Sequence, residues 1–463
     1  MAQPAAMDVD VFGQQPAMMG VFTQLTYAFS ARSDERLERA PAVLKAGLER
    51  LGAAFPWTAA QVVIADDDAR TIQLEPLPGE RAPLLVIEDL RSGELMPAMD
   101  DLVRREFPVS VLDEDLLAPR RTVTLTPSSG PTRVCIVQGT LVRGGLLLTI
   151  EACHSCMDMT GLSELVKLVS RACRGEMATL SRDELDVLTY PQPGLVPVDS
   201  APEASAELKT RFVVPPPETA PTPPGPARWT NFHISAARAS ALKASISDSL
   251  APGSFISTDD ALCALVVRSV ARARLARFDT PGSVRSTFAR AVDARPALGV
   301  NRRYPGMVQN MVFSDWASLD ELAGASLPAI ATQLRSQLTG ERSTLERDTR
   351  ALAAHLARIS AAERAAFSYV ASVRPDTGLS LSSWLKADCM LAHDRSALDF
   401  GLGLGDALAV RRPRFLPVEG LAYLLPRRDQ QVDDVVLTIC LRHDDLGRLA
   451  TDVDFSKYAR LVG

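Results

Sequence analysis

No stretch of this 463-residue chain approaches the roughly 18 uncharged apolar residues that a membrane-spanning helix needs. The longest candidates are interrupted by Arg143, Glu151 and Arg268, so no membrane association is expected. Basic charge is not in excess either: 50 Lys and Arg against 56 Asp and Glu leave a net charge of −6 and a pI near 5.6. A general nucleic-acid binder needs a basic face, and this balance argues against one. The N-terminus, Met-Ala-Gln-Pro-Ala-Ala-Met-Asp, lacks the basic and apolar segments of a secretory signal. Cysteine is sparse and odd in number; seven residues scattered through a long chain are not a disulfide framework, and the cytoplasm is the expected compartment. Metal ligands are thin as well. Beyond Cys153-His154-Ser155-Cys156 no second Cys/His pair occurs at ligand spacing, so no metal is expected. There is no G-x-G-x-x-G; Gly401-Leu-Gly403-Leu-Gly405 misses that spacing and reads as a turn needing positive φ.

What the chain does have is length and a division. At 463 residues it exceeds what one hydrophobic core usually supports, and two domains are the default. Eleven prolines fall between Pro191 and Pro226. That density stops helices and sheet ladders and favours an extended, semi-rigid connector. The expected organisation is therefore residues 1–190, a crossover over 191–228, and residues 229–463. Upstream, Leu37, Val43, Leu44, Leu48 and Leu51 make one face of a helix over 35–51. Residues 132–152 read as two strands joined at Arg143-Gly144-Gly145, followed by a helix over 160–173. Downstream, a strand over 232–235 precedes a helix over 236–249. Ser257-Thr258-Asp259-Asp260 is an N-cap cluster for a helix reaching about Arg277. Strands recur at 286–292 and 435–441. The fold class is α/β, two halves that each carry helices on a mixed sheet.

One histidine stands out by its surroundings. An apolar, β-prone run ends at His154, Asp158 follows four residues later, and Thr160-Gly161 opens a helical segment. An imidazole at a strand-to-helix corner can face a cleft while the strand holds its backbone, which suits a general base. The flanking Cys153 and Cys156 read either as a redox pair or as small fillers beside the histidine. The other four histidines have no partner at useful spacing.

His154-x-x-x-Asp158 with Gly161, and Asp399-Phe400-Gly401-Leu402-Gly403 about 240 residues later, resemble the paired motifs of the plant and fungal BAHD acyltransferases. Within that superfamily the chain is similar to the fungal trichothecene 3-O-acetyltransferases. The similarity runs through Pro119-Arg120, the stretch 255–262, residues 290–296, Tyr304-Pro-Gly, Gln309-Asn310, residues 381–384 and Arg411-Arg-Pro413. Leu402 stands where plant members carry tryptophan.

The resemblance implies two chloramphenicol-acetyltransferase-like domains with a channel between them, and a monomer. It implies acetyl transfer from acetyl-coenzyme A to a hydroxyl of a fungal specialised metabolite, first among them the C3 hydroxyl of a trichothecene. Another terpenoid, polyketide or alkaloid acceptor is the alternative, and a carrier-dependent or non-catalytic condensation-type relative a remote one. His154 becomes the general base. Asp158, which spacing alone would assign to a triad, is implied to pair with Arg295 and hold the corner. Ser382, Ser383 and Trp384 lie beside the channel, as oxyanion donors or as a packed strand end. Ser257 and Thr258 lie near the coenzyme, as ligands or as an ordinary N-cap. Asp399, Gly401 and Gly403 take a structural role away from the histidine.

Overall fold

A computed structural model describes residues 6–463 other than 67, 125–129, 193, 214–224, 341–342, 388, 390–398 and 430–431, with backbone alone at 427–429 and 432–433. Among the described residues the strands form three sheets. The central strand of the first, Gly145–Cys153, pairs antiparallel with Phe22–Ser30 over its whole length and with Cys135–Val142. Leu84–Asp89 adds in parallel, making a mixed five-stranded sheet. The turn at Gly144, φ 78°, takes the left-handed conformation that glycine adopts without a Cβ clash.

Period-two alternation gives this sheet two different faces. Leu25, Tyr27, Phe29, Leu146, Leu148 and Ile150 share one core with the helices Asp34–Ala54 and Met159–Cys173. The second helix presents Leu162, Leu165, Val166, Leu168, Val169 and Ala172 to that core at three- and four-residue spacing. The opposite face is buried yet polar, with Gln24, Thr26, Gln138, Thr149 and Glu151. Thr26 and Thr149 bond across it through their hydroxyls at 2.8 Å.

The second sheet has seven strands in the order Gln309–Trp316, Ser286–Asp293, Leu379–Ser383, Leu421–Asp429, Val432–Arg442, Ala227–Ile234, Arg460–Leu461. Parallel pairs flank Leu379–Ser383 and the remainder are antiparallel. Helices Ala236–Ser247 and Thr258–Leu275 share a separate core with it. The strand expected at 232–235 begins earlier, at Ala227. The crossover is not extended throughout: its proline-free part forms a short helix, Ala206–Arg211, capped by Ser205 through the Leu208 N–H at 3.1 Å. Most of its proline cluster lies outside the described residues.

Chain order and sheet membership diverge at one place. Ala409–Arg411, late in the sequence, pairs antiparallel with Thr26–Ala28 and forms an edge of the first sheet. Just before it, Phe400 is fully buried edge-on against Tyr27 and Phe29.

The sheets are also tied by one guanidinium. Arg295, just beyond the strand Ser286–Asp293, is fully buried. It grips Asp158 with two bonds of 2.8 and 3.0 Å and Asp293 with one of 2.9 Å. It also donates to the carbonyls of Tyr304, at 3.0 Å, and Gly306. All five guanidinium N–H groups are used. Asp158 additionally accepts from the Gly161 N–H at 2.9 Å, as N-cap of its helix, and from the Val308 N–H at 2.8 Å. Approach is close: a Cβ on Gly161 would stand 1.9 Å from the Pro305 carbonyl oxygen.

Leaving one partner of such a buried pair alone costs about 3–5 kcal/mol. Asp158→Asn and Arg295→Met are therefore expected to lower Tm and soluble yield sharply. Thermal unfolding followed by circular dichroism checks this, and a melting temperature within a degree of wild type would refute it.

Candidate active site

His154 sits where the strand Gly145–Cys153 turns towards the helix Met159–Cys173. Its backbone N–H donates to the Val21 carbonyl at 2.8 Å, continuing the ladder one residue past the strand. A turn follows, closed by Cys156 N–H to Cys153 carbonyl at 3.0 Å. The imidazole Nδ1 lies 3.0 Å from the Met157 carbonyl oxygen. A carbonyl can only accept, so Nδ1 carries the proton and the Nε2 lone pair is left available. The ring is half-buried. Desolvation is the largest influence on it and holds its pKa below the ordinary 6.5. The Met157 bond and Asp158 act the other way, while Arg412 adds to the lowering.

Asp158 makes its bonds to Arg295 and to the Gly161 and Val308 amides. A carboxylate holding Nδ1 would take the position that the Met157 carbonyl occupies here. Cys153 and Cys156 are both free and fully buried, and burial pushes the Cys156 thiol well above its usual value.

A buried polar network stands on the same strand. Glu151 is fully buried, and desolvation lifts its pKa far above the carboxylate range. The Gln24 amide reaches it at 3.4 Å and the Arg120 carbonyl at 2.6 Å. Thr122 links onward: its N–H donates to Glu114 at 2.6 Å, and its hydroxyl lies 3.4 Å from Gln24 and 3.3 Å from the Arg412 guanidinium. Arg412 is 4% exposed and faces three aromatic rings, Phe415 at 4.6 Å, Tyr423 at 4.9 Å and Trp384 at 5.7 Å.

Trp384 brings in the second sheet. Its indole N–H donates to the Ser382 hydroxyl oxygen at 2.8 Å. With an acceptor lone pair so used, the Ser382 O–H is free to donate elsewhere. Ser383 ends the same strand, and Ser382 pairs in register with Tyr423. Arg412 thus connects the rim of the first sheet near His154 to the Ser382–Trp384 end of the second. Sequence reasoning named Arg411-Arg-Pro413 only as a stretch of similarity; the aromatic residues that surround Arg412 are dispersed, and no spacing rule gathers them.

Ser257 caps its helix within a capping box. It accepts from the Asp260 N–H at 3.2 Å, donates to the Asp260 carboxylate at 2.7 Å and receives Arg335 at 2.6 Å. Thr258 is the first helical residue. Nearby, Phe255 is 63% exposed with the Lys243 ammonium and the Arg335 guanidinium over its ring. Asp399 caps its own turn through the Gly401 N–H at 2.8 Å, and its carbonyl receives Ser170 at 2.9 Å and Arg174 at 2.6 Å. Ser170 lies twelve residues along the helix from Asp158, about 18 Å at helical rise, so this motif braces the far end. Gly401 and Gly403 take φ of 65° and 68°.

His233, without a visible partner in sequence, meets Asp434 at 2.7 Å, and that carboxylate also accepts from the Ala236 N–H. This braces a helix start. A cavity of about 280 Å³ opens elsewhere, bordered by Asp10, Phe12, Met307, Val308 and Arg364. Asp10 is raised to about 7 there, chiefly by burial, against a hydrogen bond from Tyr304. Among the described residues no group of three or more His, Cys, Asp or Glu is placed to hold a metal ion. No helix among them is long and apolar enough to cross a membrane.

Comparison with known proteins fits this geometry to a family. Residues 21–173 match the trichothecene 3-O-acetyltransferase-like N-terminal domain, and 109–455 match the Transferase family. The chain is 35% identical to the trichothecene 3-O-acetyltransferase TRI101 of Fusarium sporotrichioides, over 100% of this chain and 98% of that protein. It is 38% identical to the O-acetyltransferase dmxR13 of a Cryptosporiopsis species, over 98% and 97% of the two chains. The crystal structure of F. graminearum TRI101 with coenzyme A and deoxynivalenol superposes with a TM-score of 0.90 at 32% identity, covering 99% of this chain and 100% of that one. Vinorine synthase shares the fold, with a TM-score of 0.64 at 13% identity and coverage of 99% and 98%. The chain belongs to the Transferase family of BAHD-type acyltransferases, on the branch of the fungal trichothecene 3-O-acetyltransferase-like proteins.

Proposed function

We propose that the chain transfers the acetyl group of acetyl-coenzyme A to a hydroxyl of a fungal specialised metabolite, with a trichothecene C3 hydroxyl as the first candidate. The observation that carries the chemistry is the Nδ1 bond to Met157, which leaves His154 Nε2 as a base. The relatives support the reaction class: one is named a trichothecene 3-O-acetyltransferase, and its crystal structure holds coenzyme A and T-2.

The residues fit the donor. An acyl thioester supplies an electrophilic carbonyl and a thiolate leaving group, and needs a base and donors for the developing oxyanion. His154 Nε2 takes the hydroxyl proton as the acceptor oxygen bonds the carbonyl carbon. Ser382, oriented by the Trp384 indole, donates to the oxyanion, and Ser383 lines the same strand end. The C–S bond then breaks, and the imidazolium returns its proton to the thiolate. Products are ester and free thiol, without a covalent acyl-enzyme. Lys243 and Arg335 over the Phe255 ring suit the coenzyme phosphates, Arg335 being bonded to Ser257 and paired with Asp260 as well. In this reading the channel runs between halves 1–190 and 229–463 joined by 191–228, and the protein works as a cytoplasmic monomer without nucleic-acid or membrane partners.

A different acceptor is the second reading, favoured by the 38% identity to an O-acetyltransferase whose name carries no trichothecene. The segment 385–398 bears on it. Lys386 is exposed and Cys389 buried, while Asp388, His393, Asp394 and Arg395 lie outside the described residues.

His154→Ala is expected to cut kcat by ~10²–10⁴-fold with the fold retained. Since the pKa lies below 6.5 and the neutral ring is the base, activity should fall only on acidification below that value. A pH–rate profile of kcat/KM with thiol detection reads both, and a limb above pH 7 would contradict the assignment. Ser382→Ala should lower kcat by about 10²-fold, with KM nearly unchanged. A hydroxylated-metabolite panel decides the acceptor: a C3-hydroxyl trichothecene should exceed unrelated alcohols by at least ~100-fold in kcat/KM. A flat profile moves the substrate to the second reading.

A further inference from the structure

The cavity of about 280 Å³ beside Asp10 stands apart from the groups proposed for acyl transfer: none of His154, Ser382 and Trp384 borders it. Segments distant in the chain enclose it. They are the N-terminal residues 8–14, the described crossover residues 192 and 194–196, Met307 with Val308, and the end of the helix Leu345–Arg358. Much of the wall is apolar. Phe12, Met307 and Leu356 are fully buried, and Val9 and Val308 nearly so.

Most polar groups on that wall already have partners. The Gln14 amide donates to the Val9 and Ile72 carbonyls at 3.0 and 2.9 Å and accepts the Ile72 N–H at 2.7 Å. The Gln192 amide donates to the carbonyls of Asp186, Val187 and Thr189. Both Asp10 oxygens lie within 2.8 Å of the Tyr304 hydroxyl, and burial lifts this carboxyl to about 7, so much of its charge is lost near neutrality. Asp8, on the exposed rim, holds Gln73 at 2.7 Å.

Arg364 is different. It is 6% exposed, and among the described residues no carboxylate stands within ion-pair distance of it. Its Nη2 donates to the Ala69 carbonyl, while Nε and Nη1 have no acceptor and yet keep accessible surface. A desolvated guanidinium with unused donors on an apolar wall is costly until an anion completes it. A carboxylate matches the fork of the guanidinium in geometry and charge.

We propose that this cavity binds a short apolar monocarboxylate, its head on Arg364 and its body against Phe12, Met307, Val308 and Leu356. At the ~30 Å³ that a water occupies in the liquid, the volume takes about nine non-hydrogen atoms, a chain of roughly six to eight carbons. Inorganic phosphate suits it less, because its further oxygens would face side chains that donate nothing. The site also adjoins the histidine corner, since Val308 on its wall gives its N–H to Asp158 at 2.8 Å. The proposal goes beyond acetyl transfer and does not depend on that reading.

Calorimetric titration of the full-length protein with octanoate, with and without saturating coenzyme A, tests it. Octanoate should bind at one site with the same affinity in both cases. Octan-1-ol, which keeps the chain and lacks the carboxylate, and inorganic phosphate, which lacks the chain, should each bind at least ~10-fold more weakly. Arg364→Met should weaken octanoate by at least ~10-fold and leave octan-1-ol unchanged. Ala357→Trp, at an exposed position on the cavity border, should weaken both ligands and serves if the methionine variant does not fold. The proposal is overturned by an absence of saturable binding, by equal affinity for either control ligand, or by displacement with coenzyme A. Undiminished octanoate affinity in either folded variant overturns it as well.

Discussion

The Arg295 guanidinium is the constraint on which the rest of the site depends. A buried cation must find an acceptor for every N–H or carry the cost of desolvation. Arg295 meets that demand by drawing five acceptors from separate parts of the chain to one point: two oxygens of Asp158, one of Asp293, and the carbonyls of Tyr304 and Gly306. Asp158 caps the helix that follows His154, and Asp293 ends a strand of the other sheet. Satisfying one guanidinium therefore fixes the histidine corner against the second sheet. Gly161 is part of the same constraint, because a side chain there would collide with Pro305 and hold the two apart.

With the aspartate engaged in that way, the histidine takes its tautomer from a backbone carbonyl. The Met157 oxygen comes from the same short turn, so the proton on Nδ1 is set locally and the Nε2 lone pair is left available. The ring's acidity is then governed by burial and by charges standing further off. This differs from a triad, in which a buried carboxylate both orients the ring and stabilises its protonated form. A base that must release its proton to a leaving thiolate within one turnover is well served by weak stabilisation of the imidazolium.

Family membership narrows the chemistry further than it narrows the acceptor. Relatives of 35% and 38% identity, matched end to end, carry acetyltransferase names, but only the first names a trichothecene. In the proposed reaction the Met157 bond and the Trp384–Ser382 pair act on a hydroxyl and a thioester whatever skeleton bears the hydroxyl.

Local sequence by itself determined a good deal. The apolar periodicity of 35–51 and 160–173, the Gly144 turn and the Ser257 cap each set an element, because helix faces, left-handed turns and N-caps are satisfied by residues a few positions apart. It also singled out His154, since strand, turn and helix start adjoin in the chain. What only the tertiary structure decided are the relations between distant segments. Ala409–Arg411 completes a sheet begun at Phe22, Phe400 packs on Tyr27 and Phe29, and His233 finds Asp434 on a neighbouring strand. Arg412 owes its setting to Thr122, Trp384, Phe415 and Tyr423 together. Ladder bonds, ring faces and buried charges are satisfied through space, and burial decides which of many arginines loses its water, so no spacing along the chain announces them.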